Sequence, residues 1–184
     1  MPVTTLDATT ALVLIDLQKG IAALPTAPVP AAEVIERAAL LAAAFRARGL
    51  PVVLVNVTGG APGRTEQARP AGEPPADWAE LVPELDRQPG DLTVSKQGWG
   101  AFHGTDLDRE LRRRGVTQIV LGGIATSIGV ESTARAAYEH GYHVTLATDA
   151  MTDLDADAHR NSVERVFPRL GETGTADAIR TLLG

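Results

Sequence analysis

The sequence predicts an α/β domain built on a mostly parallel sheet, and three observations predict it. Short, wholly apolar runs such as Ala11-Leu12-Val13-Leu14-Ile15 read as strands buried on both faces. Between such runs lie longer stretches with charges spaced along them as in helices. Gly or Pro stands at many of the joints. Strands that alternate with helices form βαβ units, whose parallel sheet is covered on both sides. The expected architecture is a three-layer α/β/α sandwich of Rossmann-like kind with six strands. At 184 residues the chain fits one domain, 1–184, with a core of ordinary size.

The first strand ends at Asp16. An Ala- and Leu-rich segment from 31 to 49 follows as a helix, stopped by Gly49 and Pro51. Residues 51–57 give the second strand. Residues 58–90, rich in Gly and Pro, break the rhythm and read either as a loop over a pocket or as a solvated excursion. Leu92-Thr93-Val94-Ser95 is a short strand leading to Lys96. Thr105 is placed to cap a helix through Arg114, with Asp106 and Asp108 suiting its first turn. A strand at 117–122, a helix from about 128 to 140 and a strand at 142–147 come next. Asp155 and Asp157 open a helix to about Phe167, and a short strand near Glu172-Thr173 precedes a last helix from Thr175.

Composition narrows the partners. A formal net charge of −6 argues against nucleic acid, which calls for a basic face. The one basic run, Arg112-Arg113-Arg114, ends a helix, where cations suit the macrodipole. No apolar run approaches the roughly 18 residues that span a bilayer, so no membrane partner is expected. The first residues carry no signal-peptide pattern, and a cytoplasmic location follows by default. With no cysteine there is neither a disulfide nor a thiolate metal site. Of 17 basic residues only Lys19 and Lys96 are lysine, so a lysine here is not filler. Its compact ammonium offers chemistry that arginine cannot.

Ligands of parallel sheets bind beyond the carboxyl ends of the strands. That rule singles out Asp16, Lys96 and the loop from Gly122 to Gly129. A carboxylate closing an apolar strand needs a partner, and Lys96 is the natural one. Two readings stand on the residues alone: an acid/base pair, or a turn cap beside a solvated lysine. The stretch Gly122-Gly123-Ile124-Ala125-Thr126-Ser127-Ile128-Gly129 joins a strand to a helix, and backbone N–H groups there suit an anion or a developing oxyanion. Its spacing does not match the G-x-G-x-x-G dinucleotide fingerprint.

These segments resemble the isochorismatase-like hydrolase superfamily, which includes isochorismatases, nicotinamidases and N-carbamoyl amide hydrolases. The matching pieces are residues 11–18 (ALVLIDLQ), 96–102 (KQGWGAF) and 123–135 (GIATSIGVESTAR), with Thr148-Asp149-Ala150 after them. They cover nearly the whole chain in order. The resemblance implies the isochorismatase-like hydrolase fold, a small-molecule substrate, no cofactor and a homo-oligomer, dimer or tetramer. It assigns Asp16 and Lys96 to a catalytic Asp–Lys–Cys set whose third position falls on Gly129. A non-proline cis peptide of the family maps to Ile124–Ala125. Trp99 and Phe102 are then expected to line the pocket, with Ile124, Ala125, Thr126 and Ser127 as further ligand contacts. Arg64 and Arg69 in the long loop are candidates for gripping an acidic substrate. The metal-binding amidases of the family use His after the second strand; here that stretch reads Asn56-Val57-Thr58-Gly59-Gly60, and no catalytic metal is expected.

Glycine has no side chain to attack with, so an acyl-enzyme at position 129 is excluded. The leading expectation is a hydrolase that uses Asp16 as general acid/base and Lys96 as its electrostatic partner. The alternative is a non-catalytic protein that binds a small molecule or partner in the same pocket.

Overall fold

The computed structural model describes residues 2–66 and 72–184. Its central strand, β1 (Thr10–Ile15), is buried along its whole length. Around it stand β2 (Val52–Val57), β3 (Leu92–Lys96), β4 (Gln118–Ile124), β5 (His143–Thr152) and β6 (Glu172–Gly174). Their order across the sheet is β3-β2-β1-β4-β5-β6, and every pairing is parallel. The sheet is thus wholly rather than mostly parallel. No two strands are joined by a tight hairpin, and long connections return each strand in the same direction.

Among the described residues five α-helices lie in the connections, α1 (Lys19–Ala22), α2 (Ala31–Ala47), α3 (Leu107–Arg113), α4 (Glu131–Glu139) and α5 (Ala156–Asn161), and α6 (Ala176–Leu183) follows the last strand. Alternation along β1 divides the interior. Ala11, Val13 and Ile15 join the apolar layer that holds Leu107, Leu111, Ala134 and Phe167. Leu12 and Leu14 face the other layer, with Val34, Leu41 and Phe45 of α2 and Ile179 of α6. Two-sided burial is why β1 and β4 read as unbroken apolar runs. Among the described residues no helix is long and apolar enough to cross a membrane.

Several boundaries differ from the sequence reading. The short α1, directly after the Asp16 turn, lacks the periodicity of a longer helix and went unseen. Helix α3 starts at Leu107, although the Thr105 hydroxyl still accepts a hydrogen bond from the Leu107 N–H. Before α4 the chain makes a π-helical turn, Thr126–Val130, so the regular helix begins at Glu131 rather than near 128. Strand β5 runs to Thr152, with a register irregularity against β4 between Leu121 and Gly123. Helix α5 stops at Asn161, and wider and tighter turns carry the chain to Arg169. Arg112, Arg113 and Arg114 pair with Asp108 and Glu110 of their own helix.

The order reversal falls between β1 and β4: the chain builds outward through β2 and β3, then returns to add β4, β5 and β6. A crevice opens where strand order reverses in such sheets. Asp16 follows β1 and Ala125 follows β4 on the two sides of that crevice.

Candidate active site

Asp16 leaves β1 in the left-handed region, at φ 52°, while its N–H still donates to Val55 O at 2.9 Å. Aspartate tolerates this region better than most residues, and such conformations cluster at functional sites. Close beneath, Gly123 of β4 has φ 125°, and a Cβ there would fall 2.1 Å from Ile15 O. Only glycine lets β4 approach β1 this closely next to Asp16.

Lys96 closes β3, two strands from β1, a span of about 10 Å that its long stem covers. Its Nζ donates to Asp16 Oδ2 at 2.7 Å and to Gly98 O at 3.0 Å. Both side chains are buried, with 2% of Lys96 and 8% of Asp16 exposed. An ammonium has three N–H groups; the third has no partner among the described residues. Asp16 Oδ1 is likewise buried and accepts no hydrogen bond among them. Burial pushes the Asp16 carboxyl from an ordinary 3.8 up to about 6, against the opposing pull of the Lys96 ammonium.

The pair opens into a cavity of about 210 Å³ lined also by Ile21, Val57, Ile128 and Gly129. Gly129 lies directly over the carboxylate. A Cβ at this position would meet Ile15 Cγ2 at 2.8 Å and Asp16 Oδ2 at 3.2 Å, so the Ile15 methyl limits what position 129 can carry. The Gly129 carbonyl accepts from the Thr133 hydroxyl, which in turn accepts from the Ala101 N–H; this ties the π-helical turn to the loop after Lys96.

The remaining anticipated residues divide. Trp99, Ile124 and Ala125 line the cavity, and the Ile124–Ala125 peptide is cis. Phe102 does not line it: after Trp99 the chain dives into the core, where Phe102 packs against Tyr142 and the His140 ring. Thr126 and Ser127 do not line it either. The Thr126 hydroxyl shares a 2.8 Å hydrogen bond with His159 Nδ1, and the Ser127 N–H donates to buried Asp153 Oδ2 at 2.6 Å. Burial holds His159 below the usual histidine pKa, against the pull of Asp153. With Ser127 bound to Asp153, and Ile128 and Val130 both donating to Ala125 O, three N–H groups of the turn are engaged within the fold. The oxyanion role expected of this turn therefore loses three of its donors. Arg64 is exposed and does not line the cavity; Arg69 lies outside the described residues. Among the described residues no three acidic or histidine side chains gather closely enough to hold a metal ion.

Other contributors escaped the sequence reading. Gln18 is fully buried, donates to Val57 O and Trp78 O and accepts from the Val57 N–H, so it moors the long loop beside β2. Trp78 rests on Gly20, where a Cβ would fall 1.9 Å from its ring. Asp153 receives Ser127 and Leu154 N–H groups, joining two walls of the cavity. A polar residue just past a buried strand was the available signal for Gln18 and Asp153.

Comparison with known proteins settles the descent. A family model described as Isochorismatase domain matches residues 10–178. The chain belongs to the isochorismatase family. It is by that membership a hydrolase of the isochorismatase-like fold. YwoC of Bacillus subtilis (strain 168), named as an uncharacterized isochorismatase family protein, is 46% identical over 175 residues, 91% of this chain and 90% of that one. The solved structure of an isochorismatase family protein from Burkholderia thailandensis superposes with a TM-score of 0.94 at 45% identity, covering 97% of each chain. The ureidoacrylate amidohydrolase RutB of Methylobacterium radiotolerans is 30% identical over 215 residues, 100% of this chain and 83% of that protein.

Proposed function

We propose that this isochorismatase-family chain hydrolyses a small molecule by acid/base chemistry, with Asp16 as proton carrier, Lys96 as its electrostatic partner and no acyl-enzyme. The observation that carries the reading is the buried Asp16–Lys96 contact with one carboxylate oxygen left free beside a cavity. At pH 7 a carboxyl with a pKa of about 6 is about nine-tenths ionised, so Asp16 acts first as a base. It takes a proton from water as the water oxygen bonds to the electrophilic carbon. It then returns that proton to the leaving group as the bond to carbon breaks. The third N–H of Lys96 is available to the oxygen on which negative charge develops. Gly129 places no side chain beside the carboxylate, where a Cβ would lie 3.2 Å from Asp16 Oδ2. The amidohydrolase relative supports a carbonyl-type substrate.

A panel of amides, carbamates, esters and vinyl ethers tests the reading. Wild-type protein turns over at least one class, and Asp16→Asn or Lys96→Ala lowers that turnover by about a thousandfold, within the range typical of general acid/base groups. Clear ligand binding without turnover of any class would replace this reading with a non-catalytic binding protein, which the missing nucleophile at Gly129 favours.

A further inference from the structure

The described residues expose six large apolar side chains, and three of them ring one opening. Trp99 is 65% exposed, Leu154 47% and Leu24 40%, and all three line the cavity that holds Asp16 and Lys96. They come from three separate segments: the loop after β3, the residue following Asp153, and the stretch after α1. Two of these segments are tied together. Asp153 accepts the Leu154 N–H, and its backbone pairs in both directions with Ala27, a few residues beyond Leu24. A clustered apolar rim of this kind marks a contact surface rather than scattered exposure.

The charges inside carry the complementary message. Asp16 and Lys96 are the only charged side chains among the described lining residues, and each is the other's partner. An anionic ligand entering here would leave water beside a carboxylate and compete with it for Lys96. A neutral group meets no such opposition, and Asp16 Oδ1 and the third Lys96 N–H are the unpartnered polar groups it would meet there. The space, about 210 Å³, holds the volume of about seven waters, so the occupant is small.

We infer that the site selects an uncharged substrate whose hydrolysable polar group sits at Asp16–Lys96 while an apolar, aryl- or alkyl-type substituent lies against Trp99, Leu154 and Leu24. This rests on the reading of the cavity as the substrate site. It departs from a site built to grip an acidic substrate, for which Arg64 and Arg69 were the candidates.

Binding to the intact chain tests it independently of turnover, with phenylacetamide, its isosteric anion phenylacetate, and acetamide as probes followed by calorimetry. Phenylacetamide binds at least about tenfold more tightly than acetamide, from the apolar area its ring removes from water. It also binds at least about tenfold more tightly than phenylacetate. Trp99→Ala and, separately, Leu154→Ala lower phenylacetamide affinity several-fold and so reduce its gain over acetamide. Equal or tighter binding of phenylacetate would overturn the inference, as would unchanged phenylacetamide affinity in both rim variants. Rim variants that alter the oligomeric state but not probe affinity would overturn it in favour of a second copy covering the rim. Failure of the hydrolytic reading shows differently, as absent turnover of substrates that bind in the predicted order.

Discussion

Two low-exposure ion pairs of equal length sit at opposite ends of the sheet, and they are built differently. At the amino end Arg46 Nη2 meets Asp91 Oδ2 at 2.7 Å and Arg46 Nε meets Oδ1 at 3.1 Å. The same guanidinium donates to Leu85 O, and Asp91 accepts the Gln88 N–H as well. Both carboxylate oxygens are satisfied. At the carboxyl end Lys96 meets Asp16 at the same 2.7 Å, yet one Asp16 oxygen has no partner among the described residues. A saturated, bidentate pair holds chain segments together. An unsaturated pair keeps chemistry in reserve. Cavity size alone would mislead: the depression around Arg46 and Asp91 is about 650 Å³ against about 210 Å³ at Asp16. The partners of the charges, not the volume, separate structure from site.

Substitutions sharpen that contrast. The largest effect falls on activity at the carboxyl end, where Asp16→Asn lowers turnover by about a thousandfold, while Asp91→Ala changes it less than twofold. Stability reverses the order. Asp91→Ala leaves Arg46 without its carboxylate and lowers the urea unfolding free energy by about 2–3 kcal/mol. Gly129→Ala stands between the two ends. Its Cβ meets Ile15 Cγ2 at 2.8 Å and lies 3.2 Å from Asp16 Oδ2, so overpacking lowers stability by about 1–3 kcal/mol and narrows the cavity beside the carboxylate, with a drop in turnover. Arg64→Ala, at an exposed position outside the cavity lining, has the smallest effect: KM for any panel substrate stays within about twofold. A tenfold rise in KM would return Arg64 to the site.

Much of the site was legible because its signals are local and chemical. Asp16 closes an apolar strand, and Lys96 is one of only two lysines. Both stand at strand ends, where parallel sheets bind ligands. The first two strands followed from continuous apolar runs, and the others from shorter, mixed stretches set between helical segments and glycines. What stayed hidden depends on direction rather than identity. Trp99 and Phe102 are three residues apart, yet one lines the cavity and the other packs in the core. Thr126 and Ser127 look like ligand contacts in a loop, but neither lines the cavity, and the Thr126 hydroxyl and the Ser127 N–H are taken by His159 and Asp153, brought close only by the fold. The π-helical turn has no periodicity of its own, so the start of α4 was misplaced.

The pH dependence of kcat/KM tests the central claim most directly, since it reports the ionisation of essential groups in the free protein. Burial raises the Asp16 pKa above its ordinary value, and the base must be ionised, so activity is low in acid and rises with pH. The account predicts a rising limb with a midpoint at about 6 for the wild-type chain. A profile flat from pH 5 to about 7, or one that falls through that range, would contradict Asp16 as the base that begins the reaction.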